Sequence, residues 1–149
     1  MNQGMKQLAQ RLKTEPAVLV TILESKGSAP RHAGAFMAVL GGGECIGTIG
    51  GGKVEAVCQQ RAARALAEQQ SAVEEYDLND QGPNQVGMAC GGQVQVEFLY
   101  LPAGRESAQE LARRAAQTGA GRVLLFGAGH VARALAALLP ALEFEYWVV

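Results

Sequence analysis

Residues 47–66 read GTIGGGKVEAVCQQRAARAL. The end of an apolar strand runs into three consecutive glycines, and helical spacing begins immediately after them. Val54, Val57, Cys58, Ala62, Ala65 and Leu66 fall on one stripe of period 3.6, which predicts a helix from about Gly52 to Gln69. A strand, a glycine turn and a helix in direct succession define an α/β chain. Glycines that open a helix can aim several backbone N–H groups at one point, where the helix dipole also favours negative charge, and so form an anion or phosphate cradle. The same glycines equally serve close packing of the strand on the helix. Lys53 at the mouth suits an anion, whereas Glu55 opposes one unless its carboxylate points elsewhere.

Working outward, the flanking segments supply a sheet. PAVLVTILES, from Pro16, and AFMAVL are strands rich in β-branched and apolar residues, and GGGE at 41–44 is a hairpin turn into CIGTI. SAVEEYDL and QVQVEFLYL follow the helix, and the second alternates Val94, Val96 and Phe98 against Gln93, Gln95 and Glu97. Residues 4–13 and 106–118 are helix candidates. After Gly119 the texture changes: GRVLLFGAGHVARALAALLPALEFEYWVV is strand, glycine turn, helix and strand, a single βαβ unit. The expected architecture is an N-terminal mixed-sheet α/β domain over residues 1–104, a helical connector over 105–119, and the first βαβ unit of a truncated Rossmann-like domain over 120–149.

The 149 residues contain 48% hydrophobic and 18% charged side chains, enough apolar material for a packed core. A net charge of −1 with no lysine or arginine block disfavours nucleic-acid binding. The N-terminus lacks the apolar segment of a secretory signal, and the most membrane-like stretch, 123–142, is interrupted by His130, Arg133 and Pro140. No membrane association is expected. Three cysteines without C-x-x-C spacing are read as free thiols of a reducing cytoplasm.

Three further motifs carry candidate chemistry. In GSAPRHAGAFM, residues 27–37, Arg31 follows Pro30 in a glycine-flanked loop, where its planar fork can meet a phosphate or carboxylate or simply face solvent. His32 has no partner at metal-binding spacing, and no metal site is read. In GMACGG, residues 87–92, Cys90 precedes Gly91 and Gly92, whose N–H groups can stabilise a thiolate. Cys45, in a strand, and Cys58, on the helix stripe, read as small core hydrophobes. Finally, Gly127, Gly129 and Ala132 fit the dinucleotide fingerprint G-x-G-x-x-G/A in its strand–turn–helix context.

The ordered set GSAPRHAGAFM, GTIGGGKVE, MACGG and LLFGAGHVARALA resembles the XdhC/CoxI family, accessory proteins of molybdenum hydroxylases such as xanthine dehydrogenase. The resemblance implies an insertion factor and chaperone more than an enzyme, with no catalytic residue of its own. Such a protein binds molybdenum cofactor (molybdopterin) transiently, supports its sulfuration with a cysteine desulfurase, and delivers it to a xanthine dehydrogenase-type hydroxylase. On that resemblance, Gly47, Gly50, Gly51 and Gly52 give room for the cofactor, Arg31 and Lys53 supply positive charge, and Glu55 meets the pterin's N–H donors. Cys90, with Gly91 and Gly92, is the candidate sulfur-handling thiol. No NAD(P) binding is expected from the vestigial turn at Gly127, Gly129 and Ala132, and unpaired strand edges there point to a homo-oligomer. Against this stand an NAD(P)-dependent oxidoreductase fragment, resting on GAGHVA alone, and a non-catalytic structural module.

Overall fold

A computed structural model of the chain describes residues 3–27, 33–78, 92–117, 122–139 and 145–149. Helix α1 (Gln3–Arg11) leads into strands β1 (Ala17–Gly27), β2 (Phe36–Leu40) and β3 (Cys45–Thr48). Helix α2 (Gly52–Glu68) then connects to β4 (Ala72–Asp77) and β5 (Gly92–Leu101). Helix α3 (Arg105–Gln117) precedes a βαβ unit of β6 (Arg122–Leu125), α4 (His130–Leu138) and β7 (Glu145–Val148).

The five strands β1–β5 form one sheet in the order β3-β2-β1-β5-β4. Every pairing in it is antiparallel, so the α/β reading stands, but the expected mixed sheet is uniform. The only parallel pairing among the described residues is β6 with β7. The reason is connectivity: hairpins join β2 to β3 and β4 to β5, and a hairpin can only make an antiparallel pair.

Helix α2 starts beyond one edge strand, β3, and ends beside the other, β4. Its 17 residues extend about 25 Å, longer than the roughly 19 Å across five strands, so one helix can span the whole sheet. Its stripe of Val54, Cys58, Ala62 and Ala65 packs on Val18, Val20, Met37, Val39, Val94, Val96 and Phe98. Val57, expected on that stripe, stands exposed instead. Val54, Cys58, Ala62 and Ala65 advance in steps of four and three, and Val57 lies one position off that seam.

The opposite sheet face carries α1 and α3 on a second core of Leu8, Leu12, Leu19, Leu40, Leu101 and Leu111. The chain up to α3 therefore forms an α/β/α sandwich around an antiparallel sheet. Helix α2 ends in a left-handed residue, Gln69 at φ 56°, and Gln70 N–H bonds to Ala65 O. That is a Schellman-type stop built on glutamine where glycine is usual.

Candidate functional site

The register places one set of chain ends together. Gly27 at the end of β1 opposes Gly92 at the start of β5, while Asp77 at the end of β4 opposes Gln93. Phe36 at the start of β2 opposes both Thr21 and Thr48. The glycine turn after Thr48 therefore emerges from the same end of the sheet as the segments 28–32 and 79–91. Those segments carry Arg31, His32, Cys90 and Gly91, which lie outside the described residues. Leu78 N–H bonds to Gly92 O at 2.8 Å, and Gly34 N–H to Ile22 O at 2.8 Å, closing the strand ends on either side. The turn of Gly50, Gly51, Gly52 and Lys53 and the start of β5 at Gly92 thus lie toward the same end of the sheet, the turn at the level of Thr21 and Gly92 further along β1 at the level of Gly27.

Backbone geometry explains the glycine run. Gly50, Gly51 and Gly52 have φ of 131°, 74° and 67°, in the region where a side chain strains the backbone. A Cβ on Gly51 or Gly52 would meet none of the described residues within 4 Å, so among these the outer side of the turn is open. Gly47 is different: at φ 80° its added Cβ would stand 2.8 Å from Phe36 O, so the neighbouring strand also demands glycine.

The turn already holds an anion, and the anion is internal. Glu55 Oε2 accepts the N–H of Ile49 at 3.2 Å and of Gly51 at 3.0 Å, together with the Thr48 hydroxyl. Thr48 Oγ1 in turn accepts Gly50 N–H at 3.2 Å. Gly51 is the N-cap of α2 and has no side chain, so Glu55 reaches back one turn to satisfy it, a capping box displaced by one residue. The question of where Glu55 points is answered: into the turn, where its charge also complements the helix dipole. Thr48 is the residue that sequence reasoning passed over. Its signal was a threonine directly before a glycine turn, where hydroxyls bind local backbone.

The thiols divide unexpectedly. Cys58 is fully buried, as predicted, and burial first, then the Glu74 and Glu55 charges, push its thiol up to about 12. Cys45 is exposed, correcting its assignment to the core. It sits on edge strand β3, and partial burial, then Glu55 and Glu44, raise it above the usual thiol value.

Beneath α2, Arg61 bridges to Glu74, which also accepts the Tyr76 hydroxyl at 2.7 Å. Burial alone would raise Glu74, but the hydrogen bonds from Arg61 and Tyr76 outweigh it and hold the carboxyl below its ordinary value. Arg61 also lies 5.5 Å over the Phe98 ring. Among the described residues, no group of three or more His, Cys, Asp or Glu is placed to hold a metal.

In the βαβ unit, the expected strand–turn–helix is present. Gly127 takes φ 90°, Gly129 caps α4, and Ala132 lies in its first turn. Gly127 N–H bonds to Val149 O at 2.8 Å, tying the turn to the end of β7. No helix among the described residues is long and apolar enough to cross a membrane.

This arrangement has relatives. The stretch from Arg11 to Asp77, which contains the first three strands, the glycine turn, α2 and β4, matches the XdhC and CoxI family. Residues 11–77 belong to that family. An Escherichia coli protein described as uncharacterized protein YqeB is 34% identical over 130 residues, which is 87% of this chain. A Bacillus halodurans protein described as a xanthine dehydrogenase has the same fold, at a TM-score of 0.68 and 18% identity, over 99% of this chain. The chain spans 21% of YqeB and 62% of the Bacillus protein. The XdhC and CoxI stretch thus supplies the sheet end with its glycine turn, the part of the site that the structure describes.

Proposed function

We propose that the chain is part of an accessory factor that holds molybdenum cofactor, supports its sulfuration and serves its insertion into a xanthine dehydrogenase-type hydroxylase. The observation that carries this reading is that the glycine turn and the anchors of the Arg31 and Cys90 segments leave the sheet toward the same end. Family membership of residues 11–77 supports the same assignment.

The donor set fits such a ligand. Open space in front of Gly51 and Gly52 lets a ligand stand against the backbone. Lys53 and Arg31 supply charge for the phosphate, and Gly47 and Gly50 keep the turn in its course. Glu55 orders the turn from within and reaches the pterin's N–H donors only by leaving it. Cys90, followed by Gly91 and Gly92, accepts or relays sulfur in the presence of a cysteine desulfurase. The cofactor supplies the molybdenum chemistry; this chain supplies binding, orientation and shielding.

The test is retention. The chain is incubated separately with molybdenum cofactor and with NAD, and each is measured after gel filtration. Retained molybdenum cofactor supports the proposal. Retained NAD with no retained molybdenum cofactor would overturn it in favour of a dinucleotide enzyme.

A further inference from the structure

The five-stranded sheet ends in two edges, β3 and β4, and they are built differently. β3 has four residues, and Gly47 at φ 80° bends it away from regular strand geometry. Short, kinked edges discourage further pairing. β4 has six residues, AVEEYD, with no glycine or proline. It holds an unbroken register against β5, from Ala72↔Phe98 to Asp77↔Gln93. Among the described residues no strand lies beyond it.

The hydrogen-bond phase shows which groups that edge presents. Leu78 N–H bonds to Gly92 O at 2.8 Å, so the bonded pairs with β5 recur at Tyr76, Glu74 and Ala72. Val73, Glu75 and Asp77 therefore turn their N–H and C=O groups outward along the edge. Their side chains share the sheet face opposite α2, whereas Tyr76 packs in the core beneath that helix. On the α2 side, Glu74 is already held by Arg61 and the Tyr76 hydroxyl. On the other side Val73 is 54% exposed, and Glu75 is exposed as well.

The charges decide what can pair here. A second copy would approach antiparallel about a two-fold axis through the strand. Centred on the outward set, that pairing places Glu75 directly opposite itself. Centred one residue to either side, it places Glu75 opposite Asp77, or Glu74 opposite itself. Like charges directly opposite one another oppose the match. A strand with positive charge at alternate positions meets no such repulsion, and it gains about six backbone bonds, two at each outward residue.

We propose that the β4 edge accepts an extended segment of a partner protein that carries lysine or arginine at two alternate positions and an apolar residue at the next. Running antiparallel to β4, the segment sets its basic side chains opposite Asp77 and Glu75 and its apolar one opposite Val73. The glycine turn follows β3, at the opposite edge, so a strand added at β4 leaves that turn open. Strand addition here is independent of what the turn holds.

The test follows a fluorescein-labelled peptide, TKTKTVT, by anisotropy as it is titrated with the 149-residue chain. It should bind saturably, and about tenfold tighter than TETETVT. N-methylation of both lysines removes N–H groups that face β4 and should abolish binding, whereas N-methylation of the two central threonines, whose N–H groups face away, should be tolerated. Glu75→Lys should weaken TKTKTVT and strengthen TETETVT, each severalfold. No binding of TKTKTVT, equal effects of the two methylation patterns, or a Glu75→Lys protein that leaves both affinities unchanged would overturn the assignment. Self-association of the unsubstituted chain that TKTKTVT displaces would give the edge to a second copy and overturn the choice of partner.

Discussion

Gly47 and Gly51 are both glycines at positive φ, yet they answer to different constraints. Gly47 faces a backbone oxygen at 2.8 Å from its added Cβ, and Gly51 faces none of the described residues within 4 Å. Gly47→Ala is expected to destabilise by about 2–4 kcal/mol, from strain plus a clash that Phe36 O cannot avoid. Gly51→Val should lose only roughly 1–3 kcal/mol of stability, from φ alone, and should remain folded while losing cofactor retention. Urea unfolding ranks the two; a Gly47→Ala protein as stable as wild type would show that β2 and β3 do not hold this register. Glu55→Ala removes the acceptor for two N–H groups and one hydroxyl and should cost about 1–2 kcal/mol, read from the same transition.

The thiols add a chemical readout at this scale. Native alkylation at neutral pH, mapped by peptides, should spare Cys58, whose thiol is buried and pushed up to about 12. Cys90 is expected to label first. Because the folded value of Cys58 lies above its ordinary 9.0, its contribution to stability is complete below pH 9 and disappears as pH rises toward 12. Burial, then the Glu74 hydrogen bond, raises Tyr76 in the same direction. Thermal midpoints should therefore fall across that alkaline range, and less steeply in Cys58→Ala; identical slopes would show that the thiol is not held neutral by the fold.

At the scale of elements, α2 shows how tertiary packing overrides local preference. Its C-terminal stop uses Gln69 in a left-handed conformation, so Gln69→Gly should stabilise the protein by about 1 kcal/mol in thermal or urea melts. No gain would mean that the glutamine side chain makes a compensating contact. β1 offers the complementary case. β1 carries a β-bulge at Leu23, where its register against β5 steps from Ile22↔Val96 to Glu24↔Gln95; deleting Leu23 would remove the bulge yet keep Glu24 opposite Gln95 and Lys26 opposite Gln93. Both the deletion and Leu23→Ala leave that phase intact, so the two should have similar midpoints in urea unfolding; a far larger loss for the deletion would show that the bulged residue itself holds the register.

For the whole molecule, apolar exposure concentrates in the βαβ unit. Leu124, Phe126, Val131, Leu138 and Trp147 are all exposed, and α4 buries none of its residues. Patches of this kind bind something. The 149-residue chain should associate with itself in a concentration-dependent way, and Phe126→Ser combined with Leu138→Ser should reduce that association. Light scattering that shows monomers at all concentrations for the unsubstituted chain would count against it.

Much of this was legible along the chain because it depends on local chemistry. The strand–glycine–helix succession at 47–66, the hairpin at GGGE and the alternation of Val94, Val96 and Phe98 follow from φ preference and side-chain period, and all appear in the structure. Even the two motifs inside the stretch that matches the XdhC and CoxI family, residues 11–77, are strings of neighbours. What depends on pairing was not legible. The uniformly antiparallel sheet, the exposure of Val57 and Cys45, and the gathering of distant motifs at one end follow from which strands lie side by side. The inward turn of Glu55 needed the three-dimensional course of the glycine run, since only there do two N–H groups and a hydroxyl meet one oxygen. The β1 bulge is the extreme case: one residue outside the ladder, Leu23, decides which face Glu24 and Lys26 occupy, and a period of two carries no record of where it is broken.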